Sequence, residues 1–288
     1  MILIDYSQVA ISNIAVQLAM SKDKNILSIP MVRHMILNSI RGYVHRFRND
    51  YPGEVVICVD GPDPWRRDIF EQYKAKRREG RNNDDKDWES VFGLIHTIKE
   101  EIRDNFPYKV VQLDKVEADD IIAIICKKNH DQKILIISGD KDFQQLQKYP
   151  NVHQYSPTQK KFVETDSPQE YIYEHILKGD TSDGIPNFLS PDDTFVNKIK
   201  QKPVSKKKLA GWIDSLMRGN DPQDFCNEYH YRNFQRNRRL IDFDYIPDDI
   251  ETDIYKEYKK VAVSNRSKIL PYMIKNDLKE LIGKIEEF

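Results

Sequence analysis

The stretch ILIISGDKD, residues 134–142, is a short apolar run that leads directly into acidic residues. Three similar apolar runs precede it in the chain: ILI at 2–4, VVICV at 55–59 and YKVVQL at 108–113. Runs of this length do not by themselves distinguish a strand from a buried helix, but their Val and Ile content favours strands. The sequence therefore predicts four short buried strands.

The segments between these runs carry apolar residues at helical spacing. This periodicity predicts helices at 8–20, 31–48, 87–106 and about 118–128. Strands that alternate with helices form a parallel sheet that is covered on both faces. The predicted fold class is therefore α/β, with a mostly parallel central sheet flanked by helices.

The pattern changes after residue 150. Two runs, 151–155 and 160–164, flank the turn-like SPTQ and predict a hairpin. Ser167 is a suitable N-cap, with a proline after it, for a helix that ends near Lys178.

The later part of the chain, from about residue 185, has mostly helical patterns. A chain of 288 residues suits one large domain or two unequal ones. We therefore predict an α/β core at 1–184 and a mainly helical C-terminal region at 185–288.

The composition excludes several classes of protein. The chain has 45 Lys and Arg against 46 Asp and Glu, a formal net charge of −1. This balance excludes a globally basic DNA-coating protein and an acidic solvating tail. No run approaches the roughly 18 apolar residues of a membrane span, and no signal peptide is expected. The three cysteines form no CxxC pair, so a reduced cytoplasmic location is expected.

Carboxylates follow each of the first four predicted strands. Ligands of an open parallel sheet bind beyond the carboxyl ends of its strands, so we expect these acids to converge. Two further acids lie in KGDTSDG at 178–184, spaced to share one helical face or one tight loop. The nine candidate metal ligands are Asp5, Asp60, Glu117, Asp119, Asp120, Asp140, Asp142, Asp180 and Asp183.

A cluster of this kind persists only if cations neutralise it. Because no His or Cys accompanies these acids in the sequence, the expected ions are hard ones, Mg²⁺ or Mn²⁺. Two such ions about 4 Å apart suit phosphodiester hydrolysis. Each acid alone is equally well explained as a turn former, a helix cap or a first-turn charge, and only a metal site explains all the positions together.

Residues 66–81 form a strongly basic segment with interleaved aromatic side chains, a pattern that suits nucleic acid. Lys74 and Arg77 would share one face of a helix, and a cation beside a phosphate stabilises charge in the transition state. The alternative interpretation is a solvated helical surface. The candidate nucleic-acid contacts of this segment are Arg66, Arg67, Tyr73, Lys76, Arg78 and Arg81.

A second basic run, at 198–208, contains no acid. Lysines near a helix start hold duplex phosphates without reading their sequence, although a solvated face is the competing interpretation. The candidate contacts in this run are Lys198, Lys200, Lys206, Lys207 and Lys208.

Six motifs occur in order along the chain. They are IDYSQ at 4–8, VDGPDPWRR at 59–67, YKAKR at 73–77, VEADD at 116–120, SGDKDFQQL at 138–146 and GDTSDG at 179–184. Together they resemble the structure-specific 5′-nuclease (flap endonuclease) family. The stretch LIDFDYIPDDI at 240–250 looks especially like the bacteriophage members of that family, and the resemblance covers nearly the whole chain.

The resemblance implies a PIN-like nuclease core with a helical arch at about 62–105. It also implies a 5′→3′ nuclease that uses two Mg²⁺ ions, with Mn²⁺ as a substitute, on DNA and on RNA in RNA–DNA hybrids such as replication primers. Lys74 and Arg77 match the family's basic pair beside the scissile phosphate, at the base of the arch through which the 5′ end passes.

The expected partners are DNA and RNA–DNA hybrids with a free 5′ end, a flap or a fork. A single-stranded-DNA-binding protein and a sliding clamp are further expected partners of a monomer in the cytoplasm, the host's if the protein is phage-encoded. The C-terminal ELIGKIEEF is no convincing clamp peptide, and its Phe288 is a candidate docking tail.

One segment departs from the family pattern. Residues 184–197, GIPNFLSPDDTFVN, lack the second glycine of the family's helix–hairpin–helix turn, which puts a K⁺ site there in doubt. Two alternative functions are a PIN-type single-strand endoribonuclease, which is usually smaller and has no arch, and a branched-DNA-binding protein that has lost activity.

Overall fold

The computed structural model describes residues 1–21, 26–82 and 86–288 of the chain, except for three side chains near the second gap. Six strands form one sheet. They are β1 (Ile2–Asp5), β2 (Val55–Cys58), β3 (Lys109–Val111), β4 (Ile134–Ile137), β5 (Val152–Ser156) and β6 (Lys161–Val163). Their order is β3-β2-β1-β4-β5-β6, and only β6 runs antiparallel to its neighbour. The four predicted strands and the predicted hairpin are confirmed.

In the part of the chain that the structure describes, seven α-helices accompany these strands. They are α1 (Tyr6–Met20), α2 (Ile29–Phe47), α3 (Arg66–Ile69), α4 (Ala75–Asn82), α5 (Trp88–Asn105), α6 (Ala118–Lys128) and α7 (Pro168–Lys178). The predicted helices are confirmed, with ends that shift by at most two residues. The predicted arch at 62–105 contains α3, α4 and α5, and residues 83–85 within it lie outside the described part of the chain.

The later part of the chain is helical, as predicted, but its first helix begins only after a run of turns at 186–205. The five helices are α8 (Lys206–Met217), α9 (Glu228–Ile241), α10 (Asp248–Lys260), α11 (Ile269–Lys275) and α12 (Lys279–Ile282). Asp192 anchors the turn segment to α9 through ion pairs with Arg232 and Arg236. Among the described helices, none is long and apolar enough to cross a membrane.

The alternation of side chains along each strand builds two cores. Ile2 and Ile4 of β1 face one apolar cluster, against α1, α2 and α5, while Leu3 faces the other, against α6. This arrangement follows from the period of two in a strand that is buried on both faces. This alternation sets which side chains of each strand face each side of the sheet.

The C-terminal helices complete both cores. Ile254 and Tyr258 of α10 pack on the α6 side, and α11 and α12 pack on the opposite side. Phe288 is 2% exposed, and its ring centroid lies 5.1 Å from that of Phe106. The hypothesis that Phe288 is a docking tail is therefore wrong, because its ring is part of the core.

Candidate active site

A cleft of about 540 Å³ opens beyond the carboxyl ends of the parallel strands. It joins carboxylates from strand ends that lie far apart in the sequence with cations of the arch, among them Lys74 and Arg77. These lining residues are Asp5, Asp60, Glu117, Asp119, Asp140, Lys74 and Arg77. The sheet thus brings together the acids that follow β1, β2, β3 and β4.

Asp5 has two structural partners as well as its place in the cleft. Its carboxylate caps α1 by accepting the Gln8 amide at 3.1 Å and also accepts the Ser138 hydroxyl at 3.0 Å. Burial and the nearby charge of Asp60 raise the pKa of Asp5 to about 7. Because its pKa is raised, the charged form of Asp5 would be stabilised by a nearby positive charge.

Asp60 also lines the cleft and is held in place by the adjoining elements. It accepts the Ser7 hydroxyl at 2.5 Å and the Ala118 amide at 2.8 Å. Desolvation and the charge of Asp142 raise the pKa of Asp140, which follows β4. The acids of this cleft are therefore positioned by caps and turns of the fold itself.

Glu117 and Asp120 form the capping box of α6, each accepting the backbone N–H of the other. Asp120 is fully buried, and its two oxygens also accept Trp65 Nε1 at 3.0 Å and Arg66 Nη2 at 2.7 Å. Asp119 lies between them in sequence and lines the cleft, with a side chain that is 26% exposed. Burial raises the pKa of Asp119 against the opposing charge of Arg66. The motif thus places Glu117 and Asp119 at the cleft and buries Asp120 fully.

Arg66 and Tyr73 do not lie where the sequence placed them. Arg66 is 3% exposed and donates to Glu117 at 2.9 Å, to Asp120 and to the Leu240 carbonyl at 2.8 Å. Tyr73 is 1% exposed and donates its hydroxyl to Glu117 at 2.9 Å. The prediction that these two side chains contact nucleic acid is corrected, because both are buried and donate hydrogen bonds to buried carboxylates.

Lys74 and Arg77 converge on one carboxylate, although Lys74 precedes α4 instead of lying on it. The backbone of Lys74 has φ 56°, and its amide donates to the Asp183 carbonyl at 2.7 Å. Its Nζ lies 2.5 Å from Glu117 Oε1 and 3.7 Å from Asp183 Oδ2, while Arg77 Nη2 lies 2.5 Å from Asp183 Oδ1. Burial opposes the charge of Lys74, but Glu117 and Asp183 raise its pKa above the ordinary value. Lys74 therefore stays cationic.

Glu117 is the carboxylate that forms an ion pair with Lys74. Burial favours its neutral acid, but the charges of Lys74 and Arg66 outweigh burial and lower the pKa of Glu117 to about 2. Burial raises the pKa of Asp183 against the charges of Lys74 and Arg77. Asp180 and Asp183 share a tight turn, in which the Asp183 amide donates to Asp180 Oδ1 at 3.2 Å.

His175 of α7 joins Asp142 to Asp180. Its Nδ1 lies 3.2 Å from Asp142 Oδ1, and its Nε2 lies 3.5 Å from Asp180 Oδ2. Burial opposes its charge, but the two carboxylates raise the pKa of His175 to about 10. The prediction that no histidine accompanies the acids is therefore wrong. The sequence did contain an indication of this contact, because His175 lies in the last turn of the helix directly before GDTSDG.

The other basic candidates whose side chains the structure describes are partly or fully exposed. Arg67 lines the cleft and pairs with Asp63 at 3.0 Å, and Lys76 lies over the ring of Phe195 at 4.4 Å. The side chains of Arg78 and Arg81 lie outside the described part of the structure. The lysines of the second run are exposed: Lys198 and Lys200 in the turn segment, and Lys206, Lys207 and Lys208 in the first turn of α8.

The fold and the cleft define a metal-dependent 5′-nuclease. The chain belongs to the 5′–3′ exonuclease family: the family model for the 5′–3′ exonuclease N-terminal resolvase-like domain matches residues 2–175, and the model for the T4 RNase H C-terminal domain matches residues 166–288. Ribonuclease H of Enterobacteria phage T4 is 37% identical to it over 295 residues, covering 99% of this chain and 95% of that protein. The match extends through both regions, which decides against the smaller PIN-type endoribonuclease.

Solved structures share this fold. A bacteriophage T5 protein co-crystallised with metal ions matches with a TM-score of 0.62 and 16% identity, covering 90% of this chain and 98% of that one. The bacteriophage T5 flap endonuclease in a pseudo-enzyme–product complex with DNA and metal ions matches with a TM-score of 0.61 and 16% identity, covering 90% and 97%. At this identity the likeness shows the fold alone.

Proposed function

We propose that the protein removes RNA primers and 5′ flaps during DNA replication, hydrolysing DNA and the RNA strand of RNA–DNA hybrids from a free 5′ end with two Mg²⁺ ions. The observation that carries this proposal is the cleft that joins strand-end carboxylates to Lys74 and Arg77. The relative named ribonuclease H, and the flap endonuclease solved with DNA, support the choice of substrates.

The donor set fits divalent cations. Oxygen ligands of the kind supplied by Asp5, Asp60, Asp119 and Asp140 suit Mg²⁺, and Mn²⁺ can substitute for it. Burial, together with the charges of neighbouring acids, raises the pKa values of Asp5, Asp119 and Asp140, and bound cations would favour the charged carboxylates. When bound, such ions lower the pKa of the attacking water and neutralise charge on the leaving oxygen.

The acids divide by role in this proposal. Asp5, Asp60, Asp119 and Asp140 would hold one ion, and Asp142, Asp180 and Asp183 would hold the other. Glu117 and Asp120 hold Lys74, Arg66 and the start of α6 in place, so we assign Asp120 a positioning role. This assignment revises the expectation that Asp120 is a direct ligand.

Lys74 and Arg77 orient the phosphate. Both cations lie at the rim between the strand-end acids and the arch, and both are paired to carboxylates that restrict their rotation. A cation fixed in this way stabilises the charge that develops on a phosphodiester without reorganising during the reaction. The free 5′ strand would approach along the arch formed by α3, α4 and α5.

The lysines of α8 support a duplex-binding surface. Three of them, Lys206, Lys207 and Lys208, occupy the first helical turn, where the helix dipole disfavours positive charge. A phosphate at this end would satisfy both the lysines and the backbone amides. We propose that this surface holds the duplex next to the cleavage site.

We also expect a monomer that works with a single-stranded-DNA-binding protein and a sliding clamp in the cytoplasm of the host.

A panel of 5′-labelled substrates tests the proposed function. Flapped DNA and a nicked RNA–DNA hybrid are expected to be cut from the free 5′ end in Mg²⁺, and EDTA should abolish this cleavage. The matched control is a closed circular single-stranded RNA, which offers no 5′ end and should stay intact. Internal cuts in the circle would contradict the proposal. Binding of branched DNA with no turnover in Mg²⁺ or Mn²⁺ would indicate an inactive binder instead.

Lys74→Ala is expected to slow single-turnover cleavage of a 5′-flap by about a hundredfold, as for removal of one charge-stabilising donor. The comparison variant is Lys115→Ala, which removes an exposed lysine paired with Asp68 outside the cleft. Rapid-quench measurements at saturating enzyme give the rate, and thermal unfolding checks that both variants fold. Equal rates for Lys74→Ala and Lys115→Ala would refute the role of Lys74.

A further inference from the structure

The Asp142–Asp180 half of the site differs chemically from the rest of the acidic cluster. Asp142, His175 and Asp180 each offer a ligand atom, and these three atoms lie within 4.8 Å of one another. The other such group in the described part of the chain, Glu117, Asp119 and Asp120, offers oxygen alone. One half of the site therefore has access to a nitrogen donor.

The imidazole of His175 is held in place by its surroundings. Tyr171, one turn earlier on α7, packs against it edge-on with ring centroids 5.7 Å apart. The Tyr171 hydroxyl donates to Asp142 Oδ1 at 3.2 Å, so this carboxylate is fixed relative to the ring. The His175 side chain is only 16% exposed. A preorganised ring of this kind reaches an ion beside Asp180 with little loss of conformational freedom.

The two ring nitrogens have different neighbours. Nδ1 lies beside Asp142, and Nε2 lies 3.5 Å from Asp180 Oδ2. A histidine that ligates a metal commonly donates its other N–H to a carboxylate, which fixes the orientation of the ring. Asp142 Oδ1 would therefore orient the ring through Nδ1, and the second oxygen of Asp142, the carboxylate of Asp180 and Nε2 would be offered to one ion.

We propose that His175 is a nitrogen ligand of the ion held by Asp142 and Asp180, and that it makes this half of the site prefer Mn²⁺ to Mg²⁺. Imidazole suits transition metals, whereas carboxylates and water suit Mg²⁺. The proposal rests on the proposed function, because it takes Asp142 and Asp180 as metal ligands. Binding of the ion displaces any proton from the ligating nitrogen, as for every histidine ligand.

Pulsed electron paramagnetic resonance of bound Mn²⁺ tests the proposal directly. The full-length protein loaded with Mn²⁺ is expected to show a ¹⁴N coupling from one imidazole. His175→Gln should lose that coupling, whereas His130→Gln, which replaces an exposed histidine in tilted contact with the Tyr149 ring, should keep it. A wild-type spectrum without ¹⁴N coupling, or a coupling that persists in His175→Gln, would overturn the proposal.

Titration calorimetry gives a second readout. His175→Gln is expected to weaken Mn²⁺ binding at one site by about tenfold, the lower end of the effect of disturbing a metal site's ligand environment. Its Mg²⁺ affinity should change by less than about twofold, because Mg²⁺ gains little from nitrogen. Equal losses for the two ions would assign His175 a positioning role through hydrogen bonds alone and so contradict the proposal.

The two proposals fail in different ways. If the proposed nuclease function is wrong, wild-type protein does not cut the 5′-labelled substrates in Mg²⁺. If only the role of His175 is wrong, Mg²⁺-dependent cleavage is normal and bound Mn²⁺ shows no imidazole coupling.

Discussion

Asp119→Asn is expected to reduce the single-turnover cleavage rate by about a thousandfold or more, the scale of losing a principal charge-stabilising group. Asp119 lines the cleft, and its side chain is 26% exposed. Within the described structure its Oδ1 accepts only the Asp120 amide, at 2.7 Å. The substitution keeps the shape of the side chain but removes the negative charge that would hold a cation. Folding and binding of DNA should therefore survive.

The measurement pairs cleavage with binding. Rates on a 5′-flap are measured by rapid quench, and affinity for the same DNA is measured by fluorescence anisotropy in Ca²⁺. Asp131→Asn is the matched control, since it makes the same chemical change at an exposed site outside the cleft. Cleavage by Asp119→Asn at more than a tenth of the wild-type rate would remove Asp119 from the proposed metal site.

Arg66→Ala is expected to lower the free energy of unfolding by about 3–5 kcal/mol, the usual result of removing one partner from a buried ion pair. Arg66 is the shared donor to Glu117 and Asp120, and it also satisfies the Leu240 carbonyl. Its removal leaves the Leu240 carbonyl without this donor, leaves Asp120 with neutral donors alone and takes one of two close cationic partners from Glu117. The cost is large because these acids cannot regain water.

Urea unfolding monitored by circular dichroism gives this free energy. Arg218→Ala is the control, because Arg218 makes an exposed i,i+4 pair with Asp214, which should contribute only about 0.3–0.5 kcal/mol. A loss below about 1 kcal/mol for Arg66→Ala would show that the buried network relaxes or admits water. The same variant should also loosen the contact between α3 and α9, since Leu240 lies on α9.

The parts of the fold that depend on residues close together in the sequence, such as strand ends and helix caps, could be predicted. Apolar runs end at acids, and the acid that ends β1 also caps α1 through the Gln8 amide. The start of α7 follows equally from Ser167 and Pro168. The convergence of the acids was predictable as well, because the carboxyl ends of parallel strands meet at one edge of a sheet.

The remaining features depend on contacts between distant parts of the chain. The ion pair of Arg66 and Glu117 spans 51 residues, and the hydrogen bond from Tyr73 to Glu117 spans 44. A basic, aromatic segment has the same sequence pattern whether its side chains face DNA or a buried acid. His175 was missed for a related reason, because its partner Asp142 belongs to a different element.

The register of the central sheet has a consequence for the spacing of the site. Adjacent strands lie roughly 4.8 Å apart, and Asp5 pairs in register with Cys58, two residues before Asp60. The hydrogen-bonded backbone thus fixes the spacing of the two positions from which Asp5 and Asp60 project into the cleft. Side-chain substitutions should change the charge of the cleft, whereas only a change in strand pairing would alter the spacing of these positions.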